Sequence, residues 1–145
     1  MVSWVEEAAA AGATVLTGAV KADGPTVAPI VLADVPADAK VWAEEVFGPV
    51  LVLERVGSDA EGFAAVNASA YGLQAGVFTR RLDRAFEAHR VLEVGGVIVG
   101  DVPSYRADQM PYGGAKASGI GREGLASAMA DYTEERVMVL TGLSL

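Results

Sequence analysis

PYGGAKASGIGREG, residues 111–124, decides how the rest of the chain is read. It holds a literal G-x-G-x-x-G at Gly119, Gly121 and Gly124, the spacing of a dinucleotide-binding turn. Such a turn needs a strand running straight into the glycines and a helix after them. It also needs an acid about 20 residues further on to hold a ribose. Here the nearest strand-like run, VIVG, ends at Gly100, and a loop intervenes. Ser144 stands about 20 residues beyond Gly124, which leaves no room for the returning strand of a βαβ unit. The expected reading is loop geometry opening into a helix whose first amides lie near Arg122 and Glu123. A helix start of that kind can attract an anion, but by itself it is a weak sign of a site.

Working outward, apolar runs alternate with helical patterns. SWVEEAAAA (3–11) predicts a helix that ends at Gly12. ATVLTG (13–18) predicts a strand, followed by a turn around Asp23-Gly24-Pro25. TVAPIVL (26–32) predicts a second strand, with Pro29 placing it near an edge or a bulge. A short helical turn is expected over 38–45. PVLVLERV (49–56) alternates poorly, as a strand buried on both faces would.

A helix capped by Ser58 or Asp59 is expected over 59–69, and LQAGVFT (73–79) as a strand. RLDRAFEAHRVLE (81–93) predicts a helix with Leu82, Ala85, Phe86 and Leu92 as its buried stripe. The Gly95-Gly96 pair ends it. VIVG, a helix over 122–131 and a final strand TEERVMVL (133–140) complete the pattern. The fold class is therefore α/β, and the 145 residues suit one domain, 1–145. The long 100–120 loop carries Tyr105, Arg106, Tyr112, Gly113, Gly114 and Lys116. Loops of that length inside a compact domain usually have a task, so function is sought there first.

Composition narrows the task. A net charge of −8 argues against nucleic acid and anionic membrane as partners. The absence of cysteine excludes a disulfide, a thiolate metal site or a cysteine nucleophile within these residues. With His89 as the sole histidine, no zinc site or Ser-His triad is expected, and His89 itself reads as a solvated helical side chain. No apolar run is long enough for a membrane span. The N-terminal residues carry acids where a leader would be basic, so a cytoplasmic location is the expectation. The 52% apolar content is high for so short a chain, which predicts faces buried against other polypeptide.

Five blocks occur in one order: EEVFGPVLVL (44–53), NASAYGLQAGVFT (67–79), GGVIVGDV (95–102), PYGGAKASGIGREG (111–124) and DYTEERVMVL (131–140). Together they resemble the C-terminal part of the aldehyde dehydrogenase superfamily, whose members oxidise aldehydes to acids with NAD or NADP. The wording GDVPSYRADQMPYGG is most similar to bacterial members that act on small aldehydes.

The resemblance implies part of the catalytic-domain sheet with flanking helices, without the Rossmann-like cofactor domain. It implies that Glu45 hydrogen-bonds the nicotinamide ribose and that Phe47 packs near the nicotinamide ring. A carboxylate can accept from two vicinal hydroxyls, and a rigid aromatic restricts where the ring swings. Tyr112 matches the aromatic beside the aldehyde, and Tyr105 and Arg106 lie in the part that sets substrate choice. An arginine there suits an acidic substrate. On the residues alone, Glu45 as a solvated acid, Phe47 as core and the two tyrosines as loop packing stay open.

The resemblance also implies that the nucleophilic cysteine, the water-activating glutamate and the oxyanion-holding asparagine lie upstream of the matched region. No catalytic residue is therefore assigned in these 145 residues. Gly100 stands where many members carry asparagine. The expected partners are a complementary N-terminal aldehyde dehydrogenase chain and further copies of this one, with TEERVMVL joining in self-association. Two alternatives stand beside this reading: a non-catalytic oligomeric scaffold, and cysteine-free chemistry at Tyr112, Asp101 or Asp108.

Overall fold

The computed structural model describes residues 1–17, 22–24 and 26–144. Gly18 and Pro25, which the expected strand ATVLTG and the expected turn include, lie outside them. The chain divides into two compact units, Met1–Ala65 and Val66–Leu145.

In the first unit, α1 (Val2–Ala10) buries Val5 and Ala8, three apart and so on one face. Gly12, at φ +112, stops it. The Ala13 amide then reaches back to the Ala8 carbonyl at 3.0 Å and satisfies an acceptor of the last turn. Next come β1 (Thr14–Thr17), the hairpin of β2 (Ala22–Asp23) and β3 (Thr26–Val27), β4 (Ile30–Ala33), α2 (Lys40–Ala43) and β5 (Val50–Leu53). The main sheet has the order β1-β4-β5, with β1 antiparallel and β5 parallel to β4.

TVAPIVL is thus two strands rather than one; Ile30–Ala33 is central rather than at an edge, but its pairing with β1 carries the expected irregularity, a register shift between Val15 and Thr17 opposite Leu32 and Val31. Pro29 ends up just ahead of β4, where its missing N–H costs no ladder bond. Ile30 and Leu32 point into a core with Val5, Ala8, Ala13, Val35 and Val41. Each fully buried aliphatic side chain there contributes roughly 1.5–3 kcal/mol relative to exposure. β5 also departs from expectation: Val50 and Val52 turn inward, whereas Leu51 and Leu53 are 57% and 48% exposed. Only one face of this strand finds cover.

α3 (Asp59–Asn67) falls at the junction of the units. The second unit continues with β6 (Tyr71–Gly72), β7 (Gln74–Val77), α4 (Leu82–Val91), β8 (Gly96–Val99), β9 (Ala115–Lys116) and α5 (Leu125–Asp131). β7 and β8 pair in parallel, and β6 pairs antiparallel with β9. The long loop is therefore tied back to the chain by its own short strand. α4 buries Ala88, and Leu92 follows it into the interior, while Leu82 and Phe86 are 72% and 67% exposed. The predicted stripe is half right: its C-terminal end is covered and its N-terminal end is bare. TEERVMVL forms no strand, and Val137, Met138, Val139 and Leu140 are all exposed. A strand needs a neighbour for its backbone groups, and this segment has none among the described residues.

Candidate functional site

Close backbone approach builds the 111–124 region. A Cβ on Gly95, at the entry to β8, would lie 1.7 Å from the Gly113 carbonyl oxygen. The Gly113-Gly114 segment can therefore lie directly on the β8 entry only because residue 95 has no side chain. Tyr112 and Glu123 form an isolated antiparallel bridge, each backbone amide donating to the other's carbonyl. Between them the chain turns at Gly119 and Gly121, both at positive φ, as is Gly124 beyond. These glycines shape a closed loop, and only the seven-residue α5 follows them. The G-x-G-x-x-G is not a dinucleotide turn, as its flanking sequence predicts.

This loop collects three of the sequence-predicted residues. The Arg106 guanidinium carbon lies 4.5 Å from the centroid of the Tyr112 ring, a cation–π contact. Its Nη2 also donates to Glu123 Oε2 at 3.1 Å. Tyr105, next in the chain, is 47% exposed. Beside them an open cavity of ≈ 430 Å³ is lined by Leu73, Tyr112, Ser118, Ile120, Arg122 and Asp131, among others. Arg122 stiffens its rim by donating to the carbonyls of Gly114 and Gly121 at 3.0 and 2.7 Å. Tyr112 lines this cavity, whereas Tyr105 and Arg106 are not among its lining residues, and the Arg106 guanidinium is engaged by Tyr112 and Glu123. Asp101 accepts a bond from the Val102 amide at 2.7 Å and is exposed, as is Asp108. His89 is exposed on α4.

Two other polar residues prove to be supports. The Asn67 side chain donates to Val91 O at 2.8 Å and accepts from the Glu93 amide at 2.9 Å, clamping the end of α4. Lys116, in the left-handed region at φ +54, donates to Asn67 O at 2.6 Å and Ser69 O at 3.2 Å and pairs with Glu93 at 3.1 Å. It fastens the long loop rather than facing the cavity. The support the sequence did not reveal is Gln74, whose amide nitrogen donates to both Pro103 O and Tyr105 O. Nothing in the pattern QAG distinguishes it from an ordinary strand residue.

Glu45 and Phe47 belong to the first unit, in the segment between α2 and β5. The Ile30 amide donates to Pro49 O at 2.9 Å, fixing how that segment enters the sheet. Glu45 is exposed, and its carboxylate makes no hydrogen bond or ion pair among the described residues. Phe47 is 86% exposed, so it is not the core residue that its type alone would allow. The two exposed side chains offer an acceptor and an apolar face two residues apart.

The chain belongs to the aldehyde dehydrogenase family, whose profile matches residues 1–138. It is 47% identical over 137 residues to a 3-sulfolactaldehyde dehydrogenase of Priestia aryabhattai, covering 94% of this chain and 28% of that protein. It is 40% identical over 136 residues to a succinate-semialdehyde dehydrogenase [NADP(+)] of Deinococcus radiodurans, covering 92% of this chain and 28% of that one. Among solved structures, aldehyde dehydrogenase 21 of Physcomitrella patens, in complex with the reaction product succinate, superposes with a TM-score of 0.91. Its identity is 45%, over 97% of this chain and 30% of that one. The NADP-dependent glyceraldehyde-3-phosphate dehydrogenase of Bacillus halodurans, complexed with NADP, gives a TM-score of 0.86 at 39% identity. It covers 95% of this chain and 29% of that one. The chain thus spans under a third of the length of the relatives it matches.

Proposed function

We propose that this chain supplies the substrate wall and the ribose clasp of an NAD(P)-dependent aldehyde dehydrogenase. On this reading it oxidises aldehydes to acids only together with polypeptide that carries the nucleophilic cysteine. One observation carries the reading: the family match runs along residues 1–138, yet those residues contain no cysteine.

The residues present fit their share of the coenzyme. The unengaged Glu45 carboxylate would accept from the ribose hydroxyls, and the bare face of Phe47 would lie against the nicotinamide. Bound NAD(P) would supply the hydride acceptor. Tyr112 would flank the aldehyde in the cavity it lines, Tyr105 would close in on it from the neighbouring turn, and Arg106 would take an acidic tail in exchange for its present partner Glu123. The relatives named for sulfolactaldehyde and succinate semialdehyde act on aldehydes with such tails, which supports that substrate class.

The exposed apolar side chains at Leu51, Leu53, Phe86 and Val137–Leu140 support burial against further polypeptide. That polypeptide is a cysteine-bearing chain, further copies of this chain, or both, in the cytoplasm. The same surfaces support a second reading, a non-catalytic oligomer.

The test is kinetic, in the enzyme assembled with the cysteine-bearing segment. Glu45→Gln should raise KM for the coenzyme at least several-fold. Arg106→Met should raise KM for succinate semialdehyde while sparing a neutral aldehyde of similar length. Unchanged constants in both variants would remove the assigned roles, and inactivity of every assembled pair would favour the second reading.

A further inference from the structure

We infer that Gln74 is the positioning residue that fixes the Tyr105–Arg106 wall, and through it the enzyme's preference among aldehyde tails. The second half of this statement rests on the function proposed above; the first half does not.

Gln74 opens β7, next to Leu73 of the cavity lining but not itself part of that lining. Its side-chain nitrogen donates to Pro103 O at 2.8 Å and to Tyr105 O at 3.1 Å. Both protons of one amide are thus used on two carbonyls of a single turn, 29 and 31 residues further along the chain. Only the nitrogen end can make these bonds, because carbonyls donate nothing, so the orientation of the amide is settled by its partners. The Tyr105 amide in turn donates to Val102 O at 3.2 Å, closing the turn from the other side.

The strand backbone is shaped to receive this hook. A Cβ on Gly96, directly opposite Gln74 in the ladder, would stand 3.0 Å from Gln74 Oε1. A Cβ on Gly76 would stand 2.8 Å from Asp101 O and 3.1 Å from Pro103 Cδ. One glycine leaves room for the glutamine, and the other leaves room for the loop it holds. The Gly100 amide, donating to Val77 O at 2.9 Å, starts the loop at a fixed point. Between that anchor and Tyr112, Gln74 provides the only side-chain hydrogen bonds from the β7–β8 strands to the loop among the described residues.

What the hook holds in place is the carrier of Arg106. The guanidinium reaches Tyr112 at 4.5 Å and Glu123 at 3.1 Å from a backbone whose preceding carbonyl is gripped by Gln74. Without the amide, Arg106 and Tyr105 would sample positions that the turn now denies them. Gln74 Oε1 is itself buried and unpartnered. Methionine, similar in length, would remove both the two donors and that unsatisfied acceptor. Gln74→Met is therefore a gentle way to release the loop without emptying the site.

The first test needs no activity. In the intact 145-residue chain, the side-chain amide protons of Gln74 should exchange with solvent at least ten-fold more slowly than those of exposed Gln109, measured by NMR. Equal exchange would overturn the positioning role. In Gln74→Met the Tyr105 amide should lose protection, while the β7–β8 ladder keeps its own. Unchanged Tyr105 protection would also overturn it. Should that variant fail to fold, the comparison of the two glutamines in the unsubstituted chain still decides.

The second test uses the assembled dehydrogenase. Gln74→Met should raise KM for an aldehyde with an acidic tail about ten-fold, and that of a neutral aldehyde by clearly less, because the neutral one loses only the fixed Tyr105 and not the fixed Arg106. A loop that is released while both KM values stay fixed would overturn the specificity half alone. An enzyme inactive even without the substitution would count against the proposed function and leave the exchange result standing.

Discussion

Gly95→Ala should be among the most damaging single-methyl additions in the second unit. The new Cβ would lie 1.7 Å from Gly113 O, 2.8 Å from Gly113 C and 3.0 Å from Leu73 O. All three are backbone atoms, so no rotamer change relieves the clash. The strands cannot part freely either. The Gly95 amide donates to Gly72 O at 3.0 Å and the Gly96 amide to Leu73 O at 3.2 Å. Restoring an ordinary contact means moving the Gly113 carbonyl by more than 1 Å. That shift would pull on the Tyr112–Glu123 bridge. Overpacking typically costs about 1–3 kcal/mol where side chains can adjust, and an unyielding backbone puts this site at or above roughly 3 kcal/mol. For a unit of this size, that predicts a fall in Tm of roughly 12–24 °C. Thermal unfolding followed by circular dichroism measures it directly. A variant melting within about 2 °C of the parent would show that the 72–74, 95–96 and 113–114 backbones are not packed as described.

Gly62→Ala should act in the opposite direction. Gly62 lies within α3, and its added methyl would make only an ordinary contact with Val56 at 3.5 Å. A stabilisation of about 0.5–1 kcal/mol is expected in denaturant unfolding. Asn67→Ala removes the bonds to Val91 O and from the Glu93 amide. It should cost about 1–3 kcal/mol by the same measurement and raise exchange at the Glu93 amide. The Arg81 guanidinium, hydrogen-bonded to Asp83, holds that carboxyl below its ordinary 3.8. A lowered carboxyl pKa favours the charged form in the folded state. Its small contribution to stability is therefore present above the unfolded value and is lost as pH falls through the folded one. NMR titration should place the Asp83 midpoint below 3.8 in the parent and move it upward in Arg81→Met.

Much of the architecture was legible because local signals and tertiary packing agree. The helix over SWVEEAAAA, its stop at Gly12 and the apolar Ile30–Leu32 run each point where the structure goes. The misreadings share one cause. Periodicity reports which faces need cover, not whether the same chain provides it. Leu82 and Phe86 belong to an apolar stripe of α4 yet stand open, and so do Leu51 and Leu53 on β5. TEERVMVL has the composition of a strand without a neighbour to pair with.

For the candidate site, Glu45 and Phe47 stand out only through the EEVFGP wording, because nothing in charge or spacing separates them from ordinary surface and core residues. The Arg106–Tyr112–Glu123 group was legible in part. Its aromatic and arginine stood out in the loop, but Glu123 joins them only because the glycines fold residues 112 and 123 together. Gln74 left no trace in the sequence, since its partners are backbone carbonyls about thirty residues away.

If this chain forms one wall of a dehydrogenase whose nucleophile lies on other polypeptide, reduced nicotinamide should form from succinate semialdehyde only in company. The purified 145-residue chain should give no turnover by itself, and measurable turnover after mixing with a cysteine-bearing family segment. Steady oxidation of the aldehyde by the purified chain without that segment would refute the proposed division of the site.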